Sequence, residues 1–242
     1  MPSDSAIILS STAADIISTT SIEEMASHTT ACRADNFVRW HLGRPFYAVW
    51  IVEADTAEMR AHISTMRRHL GDWLLPDYRR QPHITLAVCG FPQTYATDAH
   101  SYTEADFHRD IAGLQTSSPA SLQLSTGAAD SFTTAAYLGL KGDIEPLHAM
   151  RARLRAAETQ PYVPHITAGF YRRRLPMNDV QQKLAALALP EISLEINTIT
   201  LAVYASAEIA GGLFPVCRYH LHENKLQMVK SGYLPWRMPA TA

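Results

Sequence analysis

The chain has 242 residues, 47% of them hydrophobic and 18% charged, with a formal net charge of −2. That length buries a substantial core in one large domain or two small lobes, and the composition is that of an ordinary globular protein. The near-neutral balance excludes a global positive field for gripping long duplex nucleic acid, so a nucleotide partner has to be small, or a chain end held by local cations.

Residues 1–44 are rich in Ser, Thr and Ala and read as a weakly ordered extension or a covering arm, with a short helix start at Ser21-Ile22-Glu23-Glu24. Phe46 to Val52 is aromatic and β-branched, which predicts a strand. Over Thr56 to Leu74, Met59, Ile63, Met66 and Leu70 recur at spacings of three and four, so an amphipathic helix is expected, capped by Thr56. It leads into Pro82-His83-Ile84-Thr85, followed by the apolar run Leu86-Ala87-Val88-Cys89-Gly90-Phe91. A helix over Glu104–Leu114 comes next, then strands near Ser121–Leu124 and Ala135–Leu140 joined by a loop with Gly127 and Asp130. Ile144–Ala157 is a predicted helix with Leu147, Met150 and Leu154 in register on one side.

At this point the order repeats. A second Pro-His-Ile-Thr, Pro164-His165-Ile166-Thr167, follows strand and helix as the first does, and runs into Ala168-Gly169-Phe170. Strand–helix–motif strand thus occurs twice, which predicts a duplicated architecture. A helix near Asn178–Ala188, a long strand over Ile192–Val203 and a last strand over Pro215–Leu221 complete a domain spanning 45–224. Residues 225–242 read as a tail.

The motif carries the chemistry. A strand presents residues i and i+2 on one face, so each copy offers an imidazole beside a hydroxyl. Two such strands facing each other make a cleft with an acid–base pair and hydrogen-bond donors, an arrangement suited to a phosphate. Displacement at a phosphate ester needs a base to deprotonate the attacking group and an acid to protonate the departing oxygen. Histidine fills either role near neutral pH. Threonine hydroxyls at i+2 can donate to the non-bridging oxygens.

Motif and layout together resemble the 2H phosphoesterase superfamily over roughly residues 45–224, and within it the bacterial 2′-5′ RNA ligase-like proteins, many of them RNA 2′,3′-cyclic phosphodiesterases. His83 to Gly90 is similar to the family's His-x-Thr-Leu-x-x-x-Gly, and Ile199 to Ser206 looks like its late strand. The resemblance implies an α+β, bilobal fold, with two antiparallel sheets lining a central cleft and helices outside. It implies metal-independent hydrolysis of a nucleotide or RNA-end 2′,3′-cyclic phosphate to a 2′-phosphomonoester. His83 and His165 would be the acid–base pair, and Thr85 and Thr167 would bind phosphate. Alternatives on the same site are hydrolysis of 2′-5′-linked or cyclic oligonucleotide signals, 2′-5′ RNA ligation, or nucleotide binding without turnover.

One departure stands out: many relatives carry an arginine three places after the second Thr, where this chain has Phe170. Either the cation comes from Arg172, Arg173 or Arg174, or Phe170 stacks on a base. Arg79 and Arg80 before the first motif are candidate phosphate ligands, and Tyr162 is the preferred base-stacking candidate. No cofactor is implied. His220-x-His222 lacks a supporting carboxylate or cysteine at ligand spacing, so no metal site is expected. Three dispersed cysteines, Cys32, Cys89 and Cys217, indicate neither a disulfide framework nor a thiolate zinc site. With no signal core and no membrane-length apolar run, a cytoplasmic monomer acting on a small nucleotide or RNA end is the expectation.

Overall fold

The computed structural model describes residues 27–33, 40–117, 119–154, 162–208 and 210–236. The expected helix start at Ser21–Glu24 and residues 155–157 of the expected Ile144–Ala157 helix lie outside them. The elements are β1 (Phe46–Glu53), α1 (Ala57–Leu70), β2 (His83–Pro92), β3 (Ser101–Tyr102), α2 (Glu104–Ser117), β4 (Leu122–Ser131), β5 (Ala135–Gly142) and α3 (Ile144–Leu154). They continue with β6 (His165–Phe170), α4 (Met177–Ala185), β7 (Ser193–Ile196), β8 (Thr198–Ala205), β9 (Leu213–His220) and β10 (Lys225–Met228). The fold is α+β, and the duplication is real at the level of elements: β1–α1–β2 is repeated as β5–α3–β6.

Both halves are antiparallel along one path, in the order β10-β9-β8-β1-β2-β6-β5-β4-β7, and β3 pairs with β2 in parallel beside it. The two expected sheets are therefore halves of a single sheet. They join at its centre through one register pair, Ile84 with Ile166. The main core contains Trp50, Val52, Leu86, Leu138, Ile199 and Leu201 from the strands, and Met59, Phe107, Leu147 and Val180 from the helices. It therefore lies between one sheet face and the helices. Two smaller clusters lie on the opposite face: Trp40, Tyr47, Val49, Ile51, Val88, Phe91 and Tyr204 in the first half, and Phe132, Ala135 and Tyr137 in the second.

Local chemistry sets the ends. Thr56 Oγ1 accepts from the Met59 amide at 3.1 Å, the expected cap of α1. Gly71, at φ 57°, ends that helix, and residues Gly71–Trp73 continue as a 3-10 turn rather than as helix. His62 and His69 bond the carbonyls of Pro190 and Lys183 at 2.9 and 2.7 Å, which ties α1 to α4 and its following loop.

Three readings change. Gly127 and Asp130 belong to β4, not to a loop. The register slips between Thr126 and Ala129, so the apparent turn is a bulge within a ten-residue strand. The strand expected over Ile192–Val203 is broken at Asn197: β7 pairs with β4 in one half, whereas β8 pairs with β1 and β9 in the other. The segment from Lys225, read as a tail, pairs with β9 and carries Leu234 and Trp236 into the core, because apolar side chains beyond the strand still find a hydrophobic face. Within the extension, residues 27–33 are anchored on the second half through Thr29 to Leu175 and Cys32 to Tyr171, while Trp40 packs on Tyr47 and Phe91 of the first.

Candidate active site

The pairing of Ile84 with Ile166 decides where the motif residues point. Both isoleucines are fully buried in the main core. Strand alternation then sends His83, Thr85, His165 and Thr167 to the opposite face. In an antiparallel pair centred on those isoleucines, His83 falls opposite Thr167 and Thr85 opposite His165. The two histidines are diagonal neighbours, a relation that spaces residues roughly 7–8 Å apart and their Cβ atoms somewhat less. All four side chains therefore converge on one groove, with His83 8% and His165 5% exposed.

The histidines are held alike. Nδ1 of His83 lies 2.7 Å from the Gln81 carbonyl, and Nδ1 of His165 lies 2.7 Å from the Val163 carbonyl, in each case two residues back. A carbonyl can only accept, so each Nδ1 carries a proton and donates it. Each Nε2 is left without a protein partner among the described residues, poised to take or give a proton. Burial pushes the His83 imidazole down to about 4, against the Gln81 bond, with the charges of Arg80 and His165 adding to the fall. Burial lowers His165 as well, opposed by the Val163 bond. Phe132 and Tyr137 pack against the His165 ring at 4.9 and 5.2 Å and account for its dry surroundings.

Arg80 is the arginine whose charge bears on His83, and its guanidinium lies 4.1 Å from the Tyr204 ring and 5.7 Å from Phe170. The Tyr78 hydroxyl interacts with the Thr167 side chain, its ring packs edge-on to Phe170 at 5.4 Å, and burial holds it in its protonated form. Arg67 fixes the loop that carries Tyr78 and Arg80, by donating to Ala168 at 3.1 Å on β6 and to Leu75 and Pro76 at 3.2 and 2.9 Å. Gly169 allows this approach, because a Cβ there would come within 2.9 Å of Arg67 Nη1 and 3.1 Å of Leu74.

The other sequence candidates separate. Phe170 reaches the groove because the β5–β6 register slips at Ala168, returning Phe170 to the face of Tyr137 and Thr167. Tyr162 does not join the site. Its hydroxyl donates to the Thr85 carbonyl at 2.8 Å, Arg151 covers its ring at 4.4 Å, and it packs against the main core. Nearness to His165, three residues on, does not put it in the groove, and its stacking surface is already occupied by Arg151. Arg173 pairs with Asp72 at 3.0 Å and Arg174 bonds His28 at 3.1 Å, so both are turned to other partners. Arg172 is exposed past the bridge between Leu74 and Tyr171. Arg79 pairs with Glu208 at 2.7 Å. His220 bonds Gln227 at 2.9 Å, and among the described residues no three metal-ligating side chains converge. No local pattern in the sequence marks Tyr78, Phe132 or Tyr137, since nothing flags a tyrosine that meets a threonine 89 positions later.

Among the described residues no helix is long and apolar enough to cross a membrane. No curated protein sequence matches the chain. Solved structures that resemble it include E. coli LigT complexed with NADP+ (17% identity, TM-score 0.46, covering 74% of this chain and 99% of that one). E. coli LigT complexed with 3′-AMP is 18% identical, with a TM-score of 0.49 and coverages of 73% and 98%. A protein of Thermus thermophilus, TT0787, is 14% identical, with a TM-score of 0.49 and coverages of 73% and 98%. The family model of the 2′-5′ RNA ligase superfamily matches residues 54–208, more than half of the chain and both His-x-Thr strands. The chain belongs to that superfamily.

Proposed function

We propose that the protein hydrolyses the 2′,3′-cyclic phosphate of a nucleotide or RNA end to a 2′-phosphomonoester, acting in the cytoplasm. One observation carries the reading: two imidazoles, each with Nδ1–H tied to a carbonyl, turn unpartnered Nε2 atoms to a common groove. With the phosphorus between them, one Nε2 takes a proton from water as its oxygen attacks. The bond from phosphorus to O3′ breaks on the far side, and the other Nε2–H protonates that oxygen. Thr85 and Thr167 donate to the non-bridging oxygens, and Arg80 offsets the charge that builds there. The scheme uses no metal ion. It is tested by incubating the protein with 2′,3′-cyclic nucleotides in EDTA and identifying the product. A 2′-monophosphate is expected; a 3′-monophosphate, or no turnover of any cyclic or 2′-5′-linked phosphodiester, rejects it.

Tyr78 is assigned here as a positioning residue for Thr167. Tyr78→Phe keeps the ring on Phe170 and removes only the hydroxyl. The expected loss is about fivefold in kcat/KM, the equivalent of a neutral hydrogen bond of about 1 kcal/mol. It should fall on kcat with the melting temperature unchanged. A variant as active as the parent removes Tyr78 from the site.

A further inference from the structure

A cavity of about 240 Å³ is lined by Glu53, Glu195, Ile196, Asn197, Thr198 and Arg218. Glu53 is the β1 register partner of His83, and facing residues of an antiparallel pair point to one side. Thr200 pairs with Ile51 of the groove-side cluster, and Arg218 pairs with Thr200. Glu53, Thr200 and Arg218 therefore share the face of the catalytic candidates. From the other half, Glu195 sits between Leu194 and Ile196, both in the main core, so it points to the groove side of β7. The break at Asn197, where the chain passes between halves, brings these two walls together.

The wall has a defined hydrogen-bonding character. Glu53 is already engaged: Oε1 accepts from Thr200 Oγ1 at 2.9 Å and Arg218 Nε at 3.2 Å, and Oε2 accepts from Arg218 Nη2 at 3.2 Å. That fork fixes the guanidinium and leaves its Nη1 donors without a protein partner among the described residues. The Glu195 carboxylate, an acceptor only, likewise makes no hydrogen bond or ion pair among them. A ligand that fits presents two adjacent N–H donors to Glu195 and an acceptor to Arg218 or the Asn197 amide. Guanine does so with N1–H, N2–H and O6. Uracil sets carbonyl oxygens on both sides of its single N–H and would meet the carboxylate with like partial charge.

We infer that this cavity is a guanine-reading subsite, which holds the base of the nucleotide whose phosphate lies between His83 and His165. The inference rests on the phosphodiester reading above. It is tested on wild type and Glu195→Gln with 2′,3′-cyclic GMP and 2′,3′-cyclic UMP as substrates, and with 2′-GMP and 2′-UMP binding by calorimetry. A correctly read base edge is expected to favour G over U by about tenfold in kcat/KM and in affinity. In Glu195→Gln, an exposed strand position, that ratio should collapse toward one. Equal use of G and U by wild type, or the same ratio in the variant, overturns the subsite. Glu195-dependent binding of 2′-GMP without turnover of either cyclic nucleotide keeps the subsite and rejects the reaction. Turnover without base preference does the reverse.

Discussion

His83→Ala and His165→Ala are each expected to lower kcat on a 2′,3′-cyclic nucleotide by about 10²- to 10⁴-fold, the usual worth of a positioned general acid or base. Neither substitution should unfold the protein. The neighbouring Ile84 and Ile166 hold the junction of the halves, and the imidazoles make a single backbone hydrogen bond each. The double variant should be scarcely worse than either single one, because the two groups act in one proton-transfer sequence and their losses do not add. A substrate with an acidic aryl leaving group then assigns the roles: it needs no protonation, so it rescues the variant that lacks the acid and not the one that lacks the base. Near-parental activity in either single variant rejects two-histidine catalysis.

Part of this site could be read without coordinates, and the reason is geometric. Period-two alternation fixes the relation of His83 to Thr85, and of His165 to Thr167, within each strand. Nothing local fixes the relation between strands. That depends on the pairing of Ile84 with Ile166, a contact 82 positions apart in sequence. Phe170 shows the limit well: counting by twos from Thr167 puts it on the core face, and only the slip at Ala168 brings it to the groove. Gly127 and Asp130 looked like turn residues because a bulge uses the same residue types as a turn. Asn197 interrupts a run rich in β-branched residues whose two parts satisfy different sheet partners, a choice that periodicity cannot express. Tyr162 failed for a similar reason, since closeness in sequence to His165 says nothing about which side of the sheet its ring takes.

The acidity of the pair leads to the second large effect, a kcat/KM optimum on the acid side of pH 6.5. Catalysis needs one histidine neutral and the other protonated, so the active fraction peaks midway between the two pKa values of the free enzyme. His83 is depressed to about 4 and His165 is also lowered from 6.5, burial being the chief cause in both. Their midpoint therefore lies below 6.5. Above the higher value the acid loses its proton, and kcat/KM should fall about tenfold for each further pH unit. Bound phosphate, being anionic, favours protonated imidazoles and should carry the kcat profile to higher pH than kcat/KM. Arg80→Gln removes a cation that depresses His83, so it should also move the acid limb upward. Stability follows the same groups: with folded values below the unfolded 6.5, the unfolded chain binds more protons, so their contribution is complete above pH 6.5 and is lost as pH falls toward about 4. Rate profiles of kcat/KM and kcat over pH 4–9, with thermal melts over the same range, check both limbs. A kcat/KM optimum at or above pH 7 would mean that at least one of these imidazoles is not the group passing the proton.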